Sequence, residues 1–254
     1  HRIPDTMPDE FRWEHDGSLR DNGIEFVIRE PLDIEDMKIV VDKLHKSFIE
    51  AEVQPKNTNL ASTHIHINVT DLNVRQFLDY IGIVTMFEVD LAKGSGLDRY
   101  HNYFALGTTE CDIHQRNLMS VQTDEDFVKF VNNFSNNDQR YSGINYDSIR
   151  KYGSLEMRYL GACPDVRTVL PWLSFYQNIK NAVRNGVNFN QIFQEVSEKG
   201  VEAVVGKFNH PFHLDRDNIM EGIRNAQDFV FGTHYEHIGA PQDGNGINEY
   251  FKHL

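Results

Sequence analysis

Four short stretches of the chain alternate polar and apolar residues with period two, the mark of a strand with one buried face. In FRWEHD (11–16), Arg12, Glu14 and Asp16 share a side, and in GIEFVIRE (23–30), Ile24, Phe26 and Ile28 oppose Glu25, Val27 and Arg29. THIHINV (63–69) sets Ile65, Ile67 and Val69 against His64, His66 and Asn68, while GSLEMRYL (153–160) sets Leu155, Met157 and Tyr159 against Glu156 and Arg158. The first two strands are joined by a turn-rich connection containing Gly17 and Asn22-Gly23. Elsewhere the apolar spacing is three and four. Ile34, Met37, Val41, Leu44 and Phe48 predict one helix, and a long second helix runs from a Thr70-Asp71 cap to about Leu91. A third starts at an Asp124 cap, and a fourth spans Val166 to Val183 with Trp172 and Phe175 in its core face. The last third reads as helices near Phe189–Val196, Val201–Phe208 and Asn218–Phe231, then a loop-like tail from Gly239. Strands interspersed with helices, and no βαβ rhythm, predict an α+β fold. Its mostly antiparallel sheet packs helices on one face and carries chemistry on the other. The expected organisation is a core over 1–185 and a mainly helical extension over 186–254 packed on it.

Composition narrows the partners. The 254 residues carry 25 Lys+Arg against 38 Asp+Glu, a net charge of −13, which argues against duplex nucleic acid or an anionic membrane as the main partner. A local basic pocket for a nucleotide remains compatible with that sum. No apolar run approaches the roughly 20 residues that cross a bilayer. With two cysteines, Cys111 and Cys163, the chain cannot build a disulfide scaffold or a thiolate zinc cage alone. An intracellular, cytoplasmic location is expected.

The polar strand faces are the chemical signal. A solvated sheet face usually shows Thr, Ser, Lys and Gln, whereas these show carboxylates, imidazoles and guanidinium groups. Carboxylate oxygens suit Mg²⁺, an imidazole can complete its shell, and Arg forks suit a transferring phosphoryl. An HxH pair taken alone supports metal-dependent hydrolysis as readily.

Taken in order, WEHDGSLRDNGIEFVIREPL, STHIHINVTDL, LDRYHNYFAL and RYSGINYDSIRKYGSLEMRYLGACPDVRTVLPWL resemble the amidoligase family. That family belongs to the carboxylate–amine ligase superfamily, which includes glutamine synthetase and glutamate–cysteine ligase. The resemblance implies a glutamine synthetase-like sheet, ATP and Mg²⁺, and amide formation between a small-molecule or peptide carboxylate and an amine through an acyl-phosphate. Residue by residue it implies Asp16, Glu25, His64 and Glu156 as metal ligands, and His66 and Arg150 toward the nucleotide phosphates. It implies Arg158 and Arg140 beside the reacting phosphoryl, and Arg99 for the substrate carboxylate.

One departure stands out. Members of the family usually open with a strand of alternating acidic residues, and HRIPDTMPDE is not such a strand. Either a missing N-terminal segment or a partner chain supplies it, or the chain is a degenerate member that has lost full metal binding; weak or absent ligase activity is expected for residues 1–254 alone unless an upstream segment remains associated. Two other functions compete with the ligase: a non-catalytic structural or virion protein of the same fold, and a metal-dependent hydrolase on the His64/His66 strand. Cys163 reads as structural, GSG (94–96) as a turn, and His210, His213, His234, His237 and His253 as exposed or hydrogen-bonded rather than as a zinc site.

Overall fold

The computed structural model describes residues 3–16, 23–55, 60–95, 99–111, 121, 123–132, 141–204 and 206–230. These hold five strands and eight α-helices, an α+β arrangement with two small antiparallel sheets. β1 (Phe11–His15) pairs with β2 (Ile24–Ile28), with Phe11 opposite Ile28 and Glu14 opposite Glu25. Helix α1 (Ile34–Glu50) covers this hairpin. Its Val40, Leu44 and Phe48 form a small core with Phe11, and Phe26 packs edge-on to Phe48 at 5.1 Å. Asp33 caps α1 by accepting the Glu35 and Asp36 amides.

The second sheet carries the polar face. β3 (Ile65–Asn68) and β4 (Ile144–Asn145) flank β5 (Ser154–Met157) on either side. Its apolar face, with Ile65, Ile67, Ile144, Leu155 and Met157, is buried in the main core. The expected single sheet is thus divided in two: β2 hydrogen-bonds to β1, and β3 and β4 to β5. Before β5, helix α5 (Asp147–Tyr152) ends at Gly153, whose φ of 66° lies in the left-handed region. A Cβ there would also meet the Thr70 side chain at 2.5 Å, so the turn that launches β5 requires glycine.

The helices differ from the expected ones at their ends. The long second helix is two: α2 (Val74–Met86) and α3 (Glu88–Gly94) meet at Phe87. Asn73, not Thr70-Asp71, caps α2, through a reciprocal capping box with Gln76. Asp71 instead pairs with the buried Lys180 at 2.7 Å and with Arg184 at 3.1 Å. In α4 (Asp124–Asn132) the cap is Thr123, which exchanges hydrogen bonds with Asp126. A 3₁₀ turn over Val166–Thr168 precedes α6 (Val169–Arg184), which buries Trp172 and Phe175 as expected. Only a 3₁₀ turn, Val201–Ala203, forms where a helix to Phe208 was expected.

Helices α7 (Phe189–Lys199) and α8 (Arg216–Phe229) share the main core through Phe189, Ile192, Ile219 and Ile223. Two buried carboxylates anchor their N-termini: Asp79 of α2 accepts the Phe189 amide at 3.0 Å, and Asp90 of α3 accepts the Asp215 amide at 3.2 Å. Unpaired helix N–H groups and the dipole's positive end favour an anion there. The tail from Gly239 lies outside the described residues, and no helix among them is long and apolar enough to cross a membrane.

Candidate functional site

Strand register builds the site. His66 and Asn145 lie directly opposite Glu156, and Asn68 lies opposite Ser154. With side chains alternating, His64, His66, Ser154, Glu156, Arg158 and Asn145 share one face of the sheet around a central Glu156. The centre of this face is shielded, with Asn145, Ser154 and Glu156 buried, while His66 and Asn68 on β3 are exposed.

Glu156 accepts three hydrogen bonds. Oε1 takes His64 Nδ1 at 2.8 Å and Arg158 Nη1 at 3.0 Å, and Oε2 takes Asn145 Nδ2 at 2.5 Å. Burial alone would raise its pKa. The His64 hydrogen bond and the charges of His64, Arg158 and His66 outweigh that and hold it at about 2. An ionised carboxylate can only accept, so His64 donates to it from Nδ1 and turns Nε2 the other way. That nitrogen sits 2.7 Å from Ser62 Oγ. His66 is oriented by Ser154 Oγ at 3.0 Å and stands edge-on to Tyr152 at 5.7 Å. Burial holds the His66 pKa below the ordinary value, against the pull of Glu156.

Arg158 reaches across to the preceding loop, where Nε donates to the Phe104 carbonyl at 3.2 Å. Behind it lies Arg99, fully buried, with Nη2 donating to the Arg158 carbonyl at 3.1 Å and Nε without a partner among the described residues. Desolvation, then the neighbouring Arg158 charge, pulls the Arg99 pKa down to about 10. Arg99 therefore supports the backbone of Arg158 from beneath and turns no surface toward solvent. Arg150 is half-exposed on α5 and paired with Asp147 at 3.3 Å. Arg140 lies outside the described residues.

The hairpin brings carboxylates to the same region. Glu25 remains open to solvent, yet its pKa is raised by partial desolvation. The charges of Asp16, Glu156 and Glu14 add to that rise, and His64 opposes it. Mutually repelling carboxylates are the hard-oxygen donors a divalent cation would neutralise, so the donor chemistry fits Mg²⁺. Among the described residues, however, no three His, Cys, Asp or Glu side chains are grouped so as to hold a metal ion.

The residues read as tempting but structural are placed as follows. Cys163 donates to the Gly161 carbonyl, and burial raises its pKa. His210 packs among Phe87, Phe175 and Phe212 and bonds the Phe212 carbonyl. Burial lowers the His210 pKa to about 4. His213 is exposed, whereas His234, His237 and His253 lie outside the described residues. Ser62 and Asn145 were not picked out in the sequence, although alternation traced two residues back from His64 puts Ser62 on the polar side.

The sheet face that combines carboxylate, imidazole and guanidinium side chains around Glu156 is the candidate site. A family model described as "putative amidoligase enzyme" matches residues 27–180, more than half the chain. The chain belongs to that amidoligase family. No match is found among curated proteins or solved structures.

Proposed function

We propose that the protein is an ATP-dependent ligase that joins a small-molecule or peptide carboxylate to an amine through an acyl-phosphate. The observation that carries this reading is the meeting of two charge types at one place. The carboxylates Glu25 and Asp16 approach from the hairpin, and the Arg158 guanidinium lies across Glu156 on the sheet. A phosphoryl in transfer needs both kinds of group, cations along its oxygens and anions to hold the metal that accompanies them.

In this reading Asp16, Glu25, His64 and Glu156 hold Mg²⁺, which when bound neutralises phosphate charge. Arg158 keeps its planar fork directed at the transferring phosphoryl because Phe104 and Glu156 fix two of its nitrogens. His66, held by Ser154, faces the nucleotide phosphates, with Arg150 as a further cation toward them. Arg99 positions Arg158, and reaches a substrate carboxylate only if the Arg158 backbone shifts. Acyl-phosphate formation leaves ADP, and attack by the amine then releases phosphate.

Hydroxylamine, a small amine that captures acyl-phosphates as coloured hydroxamates, supplies a test that needs no knowledge of the natural amine. The full chain is incubated with ATP, Mg²⁺, hydroxylamine and a panel of amino acids and glutamyl peptides. Hydroxamate and ADP should appear together and only when a carboxylate is present. Absence of ATP·Mg²⁺ binding in a calorimetric titration would overturn the reading.

A further inference from the structure

We propose that Glu88 is a positioning residue for Arg158: from inside the core, its carboxylate holds the two segments that aim the guanidinium. On the ligase reading, on which this rests, Arg158 faces the transferring phosphoryl, and Glu88 sets where it stands. Glu88 opens α3 and is 2% exposed. Its Oε1 accepts from the Thr108 amide at 2.8 Å, from Thr108 Oγ1 at 2.9 Å and from the Tyr159 hydroxyl. One oxygen thus joins α3 to the segment 99–110 and to the residue that follows Arg158 in the chain.

Both segments lead to Arg158. In segment 99–110, the Phe104 carbonyl accepts from Arg158 Nε at 3.2 Å, and Arg99 Nη2 donates to the Arg158 carbonyl at 3.1 Å. The Leu106 carbonyl accepts the Gly143 amide at 2.7 Å, and the Gly143 carbonyl in turn accepts the Arg158 amide at 2.8 Å. The Tyr159 ring lies so close over Gly143 that a Cβ there would clash with it. Through Thr108, two residues beyond Leu106, Glu88 fixes the first segment to α3, and through the Tyr159 hydroxyl it fixes the second.

Stability by itself would not select a carboxylate here. Burial raises the Glu88 pKa to about 7 against the Tyr159 and Thr108 hydrogen bonds, so the ionised group is held at a cost. What it supplies is an acceptor of fixed direction, which no apolar side chain offers. Without it the Thr108 amide and the Tyr159 hydroxyl lose a buried partner, the 99–110 segment relaxes, and the Arg158 fork leaves its line with the phosphoryl. A displacement of about 1 Å, set off by a change remote from the chemistry, costs about 10²-fold in rate.

Two readouts on the full chain test this: hydroxamate formation with ATP and Mg²⁺, and the nuclear magnetic resonance signal of the Arg158 Nε–H group, assigned by its absence in Arg158→Lys. Glu88→Leu keeps the bulk and removes the acceptor, so kcat should fall about 10²-fold with the KM for ATP unchanged. The Arg158 Nε–H signal should move and exchange faster with water. Glu88→Gln keeps a carbonyl acceptor and should recover most of the rate and the original signal. Thr108→Val and Tyr159→Phe remove one donor each and should each lower kcat, which keeps the test open if Glu88→Leu does not fold. An unaltered kcat and Arg158 signal in Glu88→Leu, or in both Thr108→Val and Tyr159→Phe, would overturn the positioning role. So would a Glu88→Gln chain as slow as Glu88→Leu, because the lost charge rather than the lost acceptor would then be at work. If the unaltered chain forms no hydroxamate, the ligase reading falls, and the Arg158 signal still decides for or against Glu88.

Discussion

Replacing Glu156 by glutamine removes one charge and almost no volume, so its effect isolates the electrostatics at the centre of the sheet. The carboxylate accepts from His64, Arg158 and Asn145 and is 7% exposed, which leaves water little room to take over. A glutamine offers one oxygen where the carboxylate offered two, and its NH₂ must face a donor whichever way it turns. The fall in the Glu156 pKa from 4.5 to about 2 gives the scale, about 3 kcal/mol at ~1.4 kcal/mol per pH unit. That agrees with the roughly 3–5 kcal/mol lost when one member of a buried pair is removed. The sign follows from a carboxyl depressed in the folded state: its contribution is complete above pH 4.5 and is lost as the pH falls toward 2. Urea unfolding of both proteins at pH 7, 5 and 3.5 measures it. The stability gap should be about equal at pH 7 and 5 and smaller by about 1 kcal/mol at pH 3.5. A gap under about 1 kcal/mol at pH 7, or one that does not change with acid, would refute the argument.

Glu88 runs the other way: burial raises its pKa to about 7 against hydrogen bonds from Tyr159 and Thr108. A carboxyl raised in the folded state costs stability as the pH rises from 4.5 toward 7, so Glu88→Gln should gain in melting temperature on the unaltered protein between pH 5 and 8. Gly222 lies where α8 crosses the end of α2, and a Cβ there would stand 2.1 Å from the Met86 carbonyl oxygen. Because that neighbour is backbone and cannot swing away, Gly222→Ala should cost about 1–3 kcal/mol in urea unfolding. Arg158→Lys keeps the charge but loses the planar fork between Phe104 and Glu156, so ATP-dependent hydroxamate formation should fall while the circular dichroism spectrum is unchanged.

Period-two alternation, a property of the backbone, was enough to place His64, His66, Glu156 and Arg158 on polar strand faces, and period-three-and-four spacing was enough for α1, α6 and α8. Those patterns depend only on which residues must leave water, and each strand or helix solves that problem within a few consecutive positions. Helix ends were less legible. Asn73 and Thr123 win the caps from Thr70-Asp71 and Asp124 because a cap is decided by which side chain reaches the second or third amide, a matter of backbone angle. Tertiary structure alone decided that β2 pairs with β1 while β3 and β4 join β5, and that Arg99, whose sequence neighbours LDRYHNYF suggested a substrate-facing loop, is buried beneath Arg158. It also decided that Asp79 and Asp90, anonymous acids in a helix pattern, anchor the N-termini of α7 and α8 from 110 and 125 residues away. Above all it set His64, Asn145 and Arg158 around one carboxylate. Local periodicity fixes the side a residue faces, whereas strand pairing fixes which distant residue it meets there, and the depressed pKa of Glu156 exists only once that pairing has formed.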